Sequence, residues 1–134
     1  MTQIDEAHTG GCLCGGVRYR IRGALCGVIA CHCRQCRKTS GHHVAMTSVP
    51  SDNLSLTSSD TLSWYKSSET AERGFCRVCG GNLFWRAFGE DTISVTAGTL
   101  DTPTHLTLTD HIFVADKSDY YEINDELPQK AQWG

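Results

Sequence analysis

No stretch of this 134-residue sequence stays apolar long enough to cross a bilayer as a helix, which takes about 20 residues. An excess of basic charge is missing too. The formal net charge is −3, whereas nucleic-acid binders usually carry a basic balance. No nucleic-acid partner and no membrane are therefore expected. Met1 to Gly10 is polar and acidic and lacks the basic start and apolar stretch of a secretory signal. Solenoid-type repeats and low-complexity linkers are also absent, so residues 1–134 are expected to form one domain. The apolar fraction of 40% and charged fraction of 20% are those of an ordinary soluble globule. Together these absences point to the cytoplasm. In that reducing compartment, clustered cysteines are metal ligands or catalytic groups more often than disulfides.

Cysteine is what the sequence has in plenty. Seven of its eight cysteines fall into three groups: Cys12-x-Cys14, Cys31-x-Cys33-x-x-Cys36 and Cys76-x-x-Cys79. The first and third groups have two sulfurs each, enough for one closed site of the structural Cys₄ zinc type. Each is followed by a Gly-Gly pair, Gly15-Gly16 and Gly80-Gly81. Glycine after the last ligand lets the backbone turn tightly and aim amide N–H groups at the sulfurs. The bland alternative for these four is ordinary buried cysteine or a disulfide.

The middle group has three sulfurs and no fourth cysteine. A zinc with three protein ligands keeps one position for water or substrate. An open zinc of this kind lowers the pKa of what it binds and suits chemistry on a small thiol and a carbonyl carbon. His32 lies between two of these cysteines, so its ring is expected to point away from an ion they share. His42 and His43 are nearer candidates for a fourth ligand or a proton carrier, and either would turn the triplet into a second closed site. Arg34, Arg37 and Lys38 follow the triplet. They read as substrate-binding positions that offset thiolate charge and attract an anion, or else as the solvated face of a short helix. Cys26 stands alone on an apolar strand and reads as a buried free cysteine.

Short strand-like runs between turns make a mainly β domain the expected fold class. The first is Val17, Tyr19 and Ile21 alternating with Arg18, Arg20 and Arg22. Further expected strands are Leu25–Ala30, His43–Val49, Leu54–Thr57, Thr61–Lys66, Asn82–Ala87, Thr92–Ala97, His111–Ala115 and Tyr120–Ile123. One short helix is expected from Arg34 to Thr39, ending at Gly41.

Three segments carry a resemblance: Gly11-Cys12-Leu13-Cys14-Gly15-Gly16-Val17-Arg18-Tyr19, the run Cys31-His32-Cys33-Arg34-Gln35-Cys36 through Gly41, and Phe75-Cys76-Arg77-Val78-Cys79-Gly80-Gly81. His111-Ile112-Phe113-Val114, with Asp125 and Leu127-Pro128-Gln129, extends it towards the carboxyl end. In these the chain resembles the glutathione-dependent formaldehyde-activating enzyme family, which includes centromere protein V. The resemblance implies an Mss4-like fold of stacked antiparallel sheets built around zinc, with little helix. It implies two Zn²⁺ per chain: a structural zinc on Cys12, Cys14, Cys76 and Cys79, and an open one on Cys31, Cys33 and Cys36. The implied activity is that of a carbon–sulfur lyase run in reverse, joining a thiol partner such as glutathione to formaldehyde as S-hydroxymethylglutathione. The alternative is a zinc-stabilised binding or chaperone-like module without turnover. One departure is local: many relatives have a tryptophan where this chain has Tyr120-Tyr121.

Overall fold

The computed structural model describes residues 7–25 and 27–133. Ten strands and one α-helix follow in order: β1 (Ala7–Gly11), β2 (Val17–Arg22), β3 (Val28–Cys31), α1 (Arg34–Ser40), β4 (Val44–Pro50), β5 (Leu54–Ser59), β6 (Leu62–Lys66), β7 (Ala71–Cys76), β8 (Asn82–Ala87), β9 (Thr92–Thr96) and β10 (Leu108–Ile112). They form two stacked sheets, as expected of an Mss4-like architecture. The small sheet has the order β1-β2-β5, and the large one β10-β3-β4-β9-β8-β7-β6.

Alternation in β2 explains how the sheets meet. Val17, Tyr19 and Ile21 are buried on one face, while Arg20 and Arg22 face solvent. A strand with one apolar face must cover it. That face joins Val49 of β4, Leu83 and Phe84 of β8, and Ile93 and Val95 of β9 in one core. Tyr19 meets Phe84 edge-on, with centroids 5.5 Å apart. Its hydroxyl is paired with Thr99 Oγ1 at 2.7 Å, so the buried ring leaves no polar atom unmatched. Full burial of each large apolar side chain here contributes about 1.5–3 kcal/mol.

Every pairing in the large sheet is antiparallel except β10 with β3, which is parallel. Outside β10, the carboxyl-terminal segment continues the edge. His111 N–H donates to the Pro128 carbonyl and Lys130 N–H to the His111 carbonyl, both at 2.9 Å. The edge strand is thereby covered by the chain's own tail, a usual answer to exposed strand edges.

Most expected elements are found, with shifted ends. Leu25–Ala30 is realised as Val28–Cys31, and His111–Ala115 as Leu108–Ile112 followed by a 3₁₀ turn at Val114–Asp116. Tyr120–Ile123 is not a strand. Its aromatic rings pack into the region beside the cysteine triplet instead. The expectation for Cys26 lies outside the described residues.

Candidate metal centres

The two-cysteine groups sit at equivalent places. Cys12 and Cys14 lie in the β1–β2 connection, while Cys76 ends β7 and Cys79 lies in the turn that follows it. Gly15 and Gly80, directly after the second cysteine of each, have φ of 81° and 78°. That left-handed conformation strains any residue with a Cβ. The tight turns bring amides onto the sulfurs: Val17 N–H donates to Cys12 Sγ at 3.3 Å and Cys79 N–H to Cys76 Sγ at 3.4 Å. The Cys79 amide and the Thr61 hydroxyl pull the Cys76 thiol down to about 5.

All four sulfurs lie within 4.8 Å of one another. Cys14 Sγ is 3.7 Å from Cys12 Sγ and 3.6 Å from Cys76 Sγ. A tetrahedral zinc with Zn–S of about 2.3 Å sets sulfur–sulfur edges of about 3.8 Å. The donors and their spacing therefore fit such an ion. The sulfurs come from the small sheet on one side and the large sheet on the other, so one ion would staple the two sheets.

The triplet is built at the β3–α1 turn. Cys31 ends β3, Cys33 is the N-cap of α1, and Cys36 is buried in its first turn. Cys33 Sγ accepts the Cys36 N–H at 3.3 Å. Gly41 closes the helix in a left-handed conformation, its N–H on the Arg37 carbonyl. The three sulfurs also lie within 4.8 Å of one another. Hydrogen bonds from the Cys31 and Cys36 thiols pull Cys33 down to about 2, and those same contacts with Cys33 hold Cys31 far above its usual range. Both cysteine clusters could hold metal ions.

Arg73, on β7, escaped the sequence reading. Its Nη1 and Nη2 lie 3.8 and 3.7 Å from Cys36 Sγ, and Nη2 donates to Gln35 Oε1 at 3.4 Å. A guanidinium beside sulfur offsets thiolate charge. The sequence signal was weak because a strand reading Ala-Glu-Arg-Gly-Phe-Cys shows no alternation. Its charges are matched instead across the sheet, where Glu72 accepts from Arg86 Nε at 2.7 Å. Of the basic residues expected to bind substrate, Arg37 donates through Nε to the Asp116 carbonyl at 3.0 Å, tying α1 to the 3₁₀ turn. Arg34 and Lys38 are exposed.

Neither His42 nor His43 joins the triplet's sulfurs. His32, between two of the cysteines, is buried, and its ring stands outside the three-sulfur group. Its Nε2 is 2.9 Å from His111 Nδ1 and its Nδ1 is 2.6 Å from the Tyr121 hydroxyl. His111 Nε2 in turn lies 2.7 Å from Asp125 Oδ2. Burial, then the charges of His43, His111, His42 and Lys117, push the His32 imidazole down to about 4. The Asp125 carboxylate accepts a hydrogen bond from His111 Nε2–H. With a neutral His111 the order that follows is His32 Nε2–H donating to His111 Nδ1 and the Tyr121 hydroxyl donating to His32 Nδ1. His42 pairs through Nδ1 with the Tyr120 hydroxyl, and its ring lies 4.4 Å from that of His43.

Two stacked sheets, a four-sulfur staple between them and a three-sulfur turn at one edge define a β-class protein with two cysteine centres. A family model described as "Glutathione-dependent formaldehyde-activating enzyme" matches residues 7–116, and the chain belongs to that family. It is similar to an uncharacterized lyase of Schizosaccharomyces pombe, 26% identical over 118 residues, 87% of this chain and 85% of that protein. In structure it is similar to a Rhodobacter sphaeroides protein known from a crystal structure. There the TM-score is 0.59 with 23% identity, covering 75% of this chain and 99% of the other. Among the described residues no helix is long and apolar enough to cross a membrane.

Proposed function

We propose that this chain is a zinc-dependent, carbon–sulfur lyase-type enzyme of the S-hydroxymethylglutathione synthase kind, acting in the cytoplasm as a single domain. The observation that carries the reading is the contrast between the centres: four sulfurs in one, and three in the other with no further cysteine, histidine or carboxylate in the group among the described residues. The family and the lyase name of the yeast relative support it. Cys12, Cys14, Cys76 and Cys79 would hold a structural zinc, and Cys31, Cys33 and Cys36 a reactive one. Zinc there would supply a Lewis-acidic position at which a small thiol such as glutathione sheds its proton at neutral pH. In the joined reaction a carbon–sulfur bond forms, the thiol proton leaves, and the aldehyde oxygen takes up a proton.

The chain's own residues prepare that position. Arg73 offsets the charge of the sulfurs, and the inward-turned His32 anchors the loop that carries two of them. Arg34 and Lys38 present cations to an acidic thiol beside α1. Cobalt substitution tests the reading. Glutathione should add a thiolate-to-cobalt absorption band in wild type and none in Cys33→Ser. With formaldehyde added, the zinc protein should form the S-hydroxymethyl adduct faster than the uncatalysed reaction. A cobalt spectrum indifferent to thiols would instead favour a non-catalytic binding module.

A further inference from the structure

The large sheet has a second face, turned away from the small sheet, and the triplet stands on it. Register fixes which side chains share that face, because directly opposed residues point the same way. Val49, Phe84, Ile93 and Val95 go into the core, so their strand neighbours Ser48, Trp85 and Ser94 go the other way. Ser48 pairs with Ser94, Ser94 with Trp85, and Trp85 with Arg73. The Arg73 guanidinium reaches the triplet, with Nη2 at 3.7 Å from Cys36 Sγ. On the other side Cys31 pairs with Val44 and Ile29 with Met46. Met46 stands two residues before Ser48 and so shares the face.

Burial falls along this face. Val44 and Thr96, beside Ser40 of α1, are only 6% and 8% exposed. Ile29, Met46, Ser94 and Trp85 are half-buried, and Ser48 and Thr92 are exposed. A shelf therefore opens outward from the sulfurs, with Ile29, Met46 and Trp85 as its apolar surface. A tryptophan ring stacks on another flat ring, and the methionine thioether adapts to an aromatic neighbour. Arg73 is the one charged residue in the row from Ser48 to Arg73, and its guanidinium is engaged by Cys36 Sγ and Gln35 Oε1. A carboxylate finds no open counter-charge on the shelf. Exposed cations, Arg34 and Lys38, stand on α1 instead. The three-sulfur centre is thus bordered by a charged side and an apolar one.

We infer that the shelf is a subsite for a flat apolar group, and that the carbonyl partner at the three-sulfur centre is an aromatic aldehyde, larger than formaldehyde. Two reactants must meet at this centre, and its two sides sort them. The α1 cations draw an acidic thiol, and the shelf holds an uncharged aryl aldehyde. The thiol sulfur bonds to the carbonyl carbon, the carbon–oxygen double bond becomes single, and the oxygen receives the proton that the thiol gave up. Nothing is oxidised or reduced. The aldehyde half of the inference rests on the proposed function; the aryl subsite does not.

The test uses the zinc-replete protein and benzyl alcohol, which has the ring and no carbonyl. Its addition should shift the Trp85 indole N–H and the Met46 methyl signals in NMR. The Trp64 signal should stay in place, since Trp64 packs against the core on the opposite face. Ser94→Leu fills the shelf and Trp85→Leu removes the ring. Each should weaken the binding, read at the Met46 methyl, by at least about tenfold, with an unchanged Tm as the check on folding. With 2-mercaptoethanol as the thiol, each should also lower the rate of adduct formation from benzaldehyde, relative to that from formaldehyde, by at least about tenfold. A probe that leaves Trp85 of the wild type unmoved overturns the inference without recourse to any variant. So does a benzaldehyde-to-formaldehyde ratio unchanged in a folded variant. Should the probe bind while no thiol alters the cobalt spectrum, the aryl subsite stands and the proposed function falls.

Discussion

His32 Nε2 and His111 Nδ1 face each other at 2.9 Å inside the protein, each ring more than nine-tenths buried. One residue comes from the cysteine triplet's loop and the other from the edge strand β10. The bond therefore joins the turn that shapes the triplet to the sheet that carries it. Replacing His111 by Phe strands the donor on His32, and a buried polar group without a partner costs about 1–3 kcal/mol. His111→Phe should lower stability by that amount in urea melts and loosen metal at the triplet, while the four-sulfur centre keeps its ion. Unchanged metal retention at the triplet would show that the histidine pair supports only the sheet.

The two centres should differ in lability. Seven clustered sulfurs exceed what one ion uses, so metal-replete protein should contain two, with the three-sulfur site losing its ion first to a mild chelator. Cys76→Ser should destabilise the whole fold, because structural zinc binding is worth about 10–16 kcal/mol in small peptides and here it joins two sheets. Cys33→Ser should leave a folded domain with one metal. Metal analysis beside circular dichroism checks both, and a single ion in the replete wild type would sink the two-centre reading.

Cysteine spacing made both centres legible before any coordinates, because C-x-C and C-x-x-C groups constrain sulfur positions through a few backbone bonds. The short helix and its Gly41 end were legible for the same local reason, and Asn82–Ala87 falls where the pattern placed it. What escaped depends on distant partners. β7 hides its strand character because its charged residues are matched on other elements, and β1 is a polar stretch that pairs with β2 and bridges to Leu100 through Gly10. The parallel pairing of β10 with β3 links residues about eighty positions apart, which no local pattern encodes. His111 and Asp125 were recognised as part of the family's ending, yet their link to His32 appears only when the chain is folded.

Arg73 should tune the triplet. Its guanidinium stands against Cys36 Sγ at 3.7 Å, and hydrogen bonds to charged groups contribute about 1.5–3 kcal/mol. Arg73→Met should weaken metal binding at the triplet by about tenfold, with the four-sulfur centre unaffected. Arg73→Lys should recover part of the loss, since it keeps the charge and loses the fork. Competition with a metal indicator measures this. Equal affinity in Met and Lys variants would mean that the arginine acts by packing alone.

His43 sets a pH dependence with a definite sign. Burial, then His42 and His111, lower its imidazole from the ordinary 6.5. In the folded chain the ring stays neutral at pH values where an unfolded chain has already protonated it. Unfolding then takes up a proton, so acid favours the unfolded state. The contribution of a neutral His43 is complete above pH 6.5. It shrinks as pH falls from 6.5 to the lower folded midpoint and levels off below that. His43→Phe removes this part of the slope and leaves every other titrating group in place. Urea melts of the zinc-loaded proteins between pH 7.5 and 5.5 should therefore show wild type losing stability more steeply than the variant. The His43 ring itself should titrate below 6.5 in NMR. A midpoint at or above 6.5, or identical slopes for the two proteins, would rule out a neutral, half-buried His43.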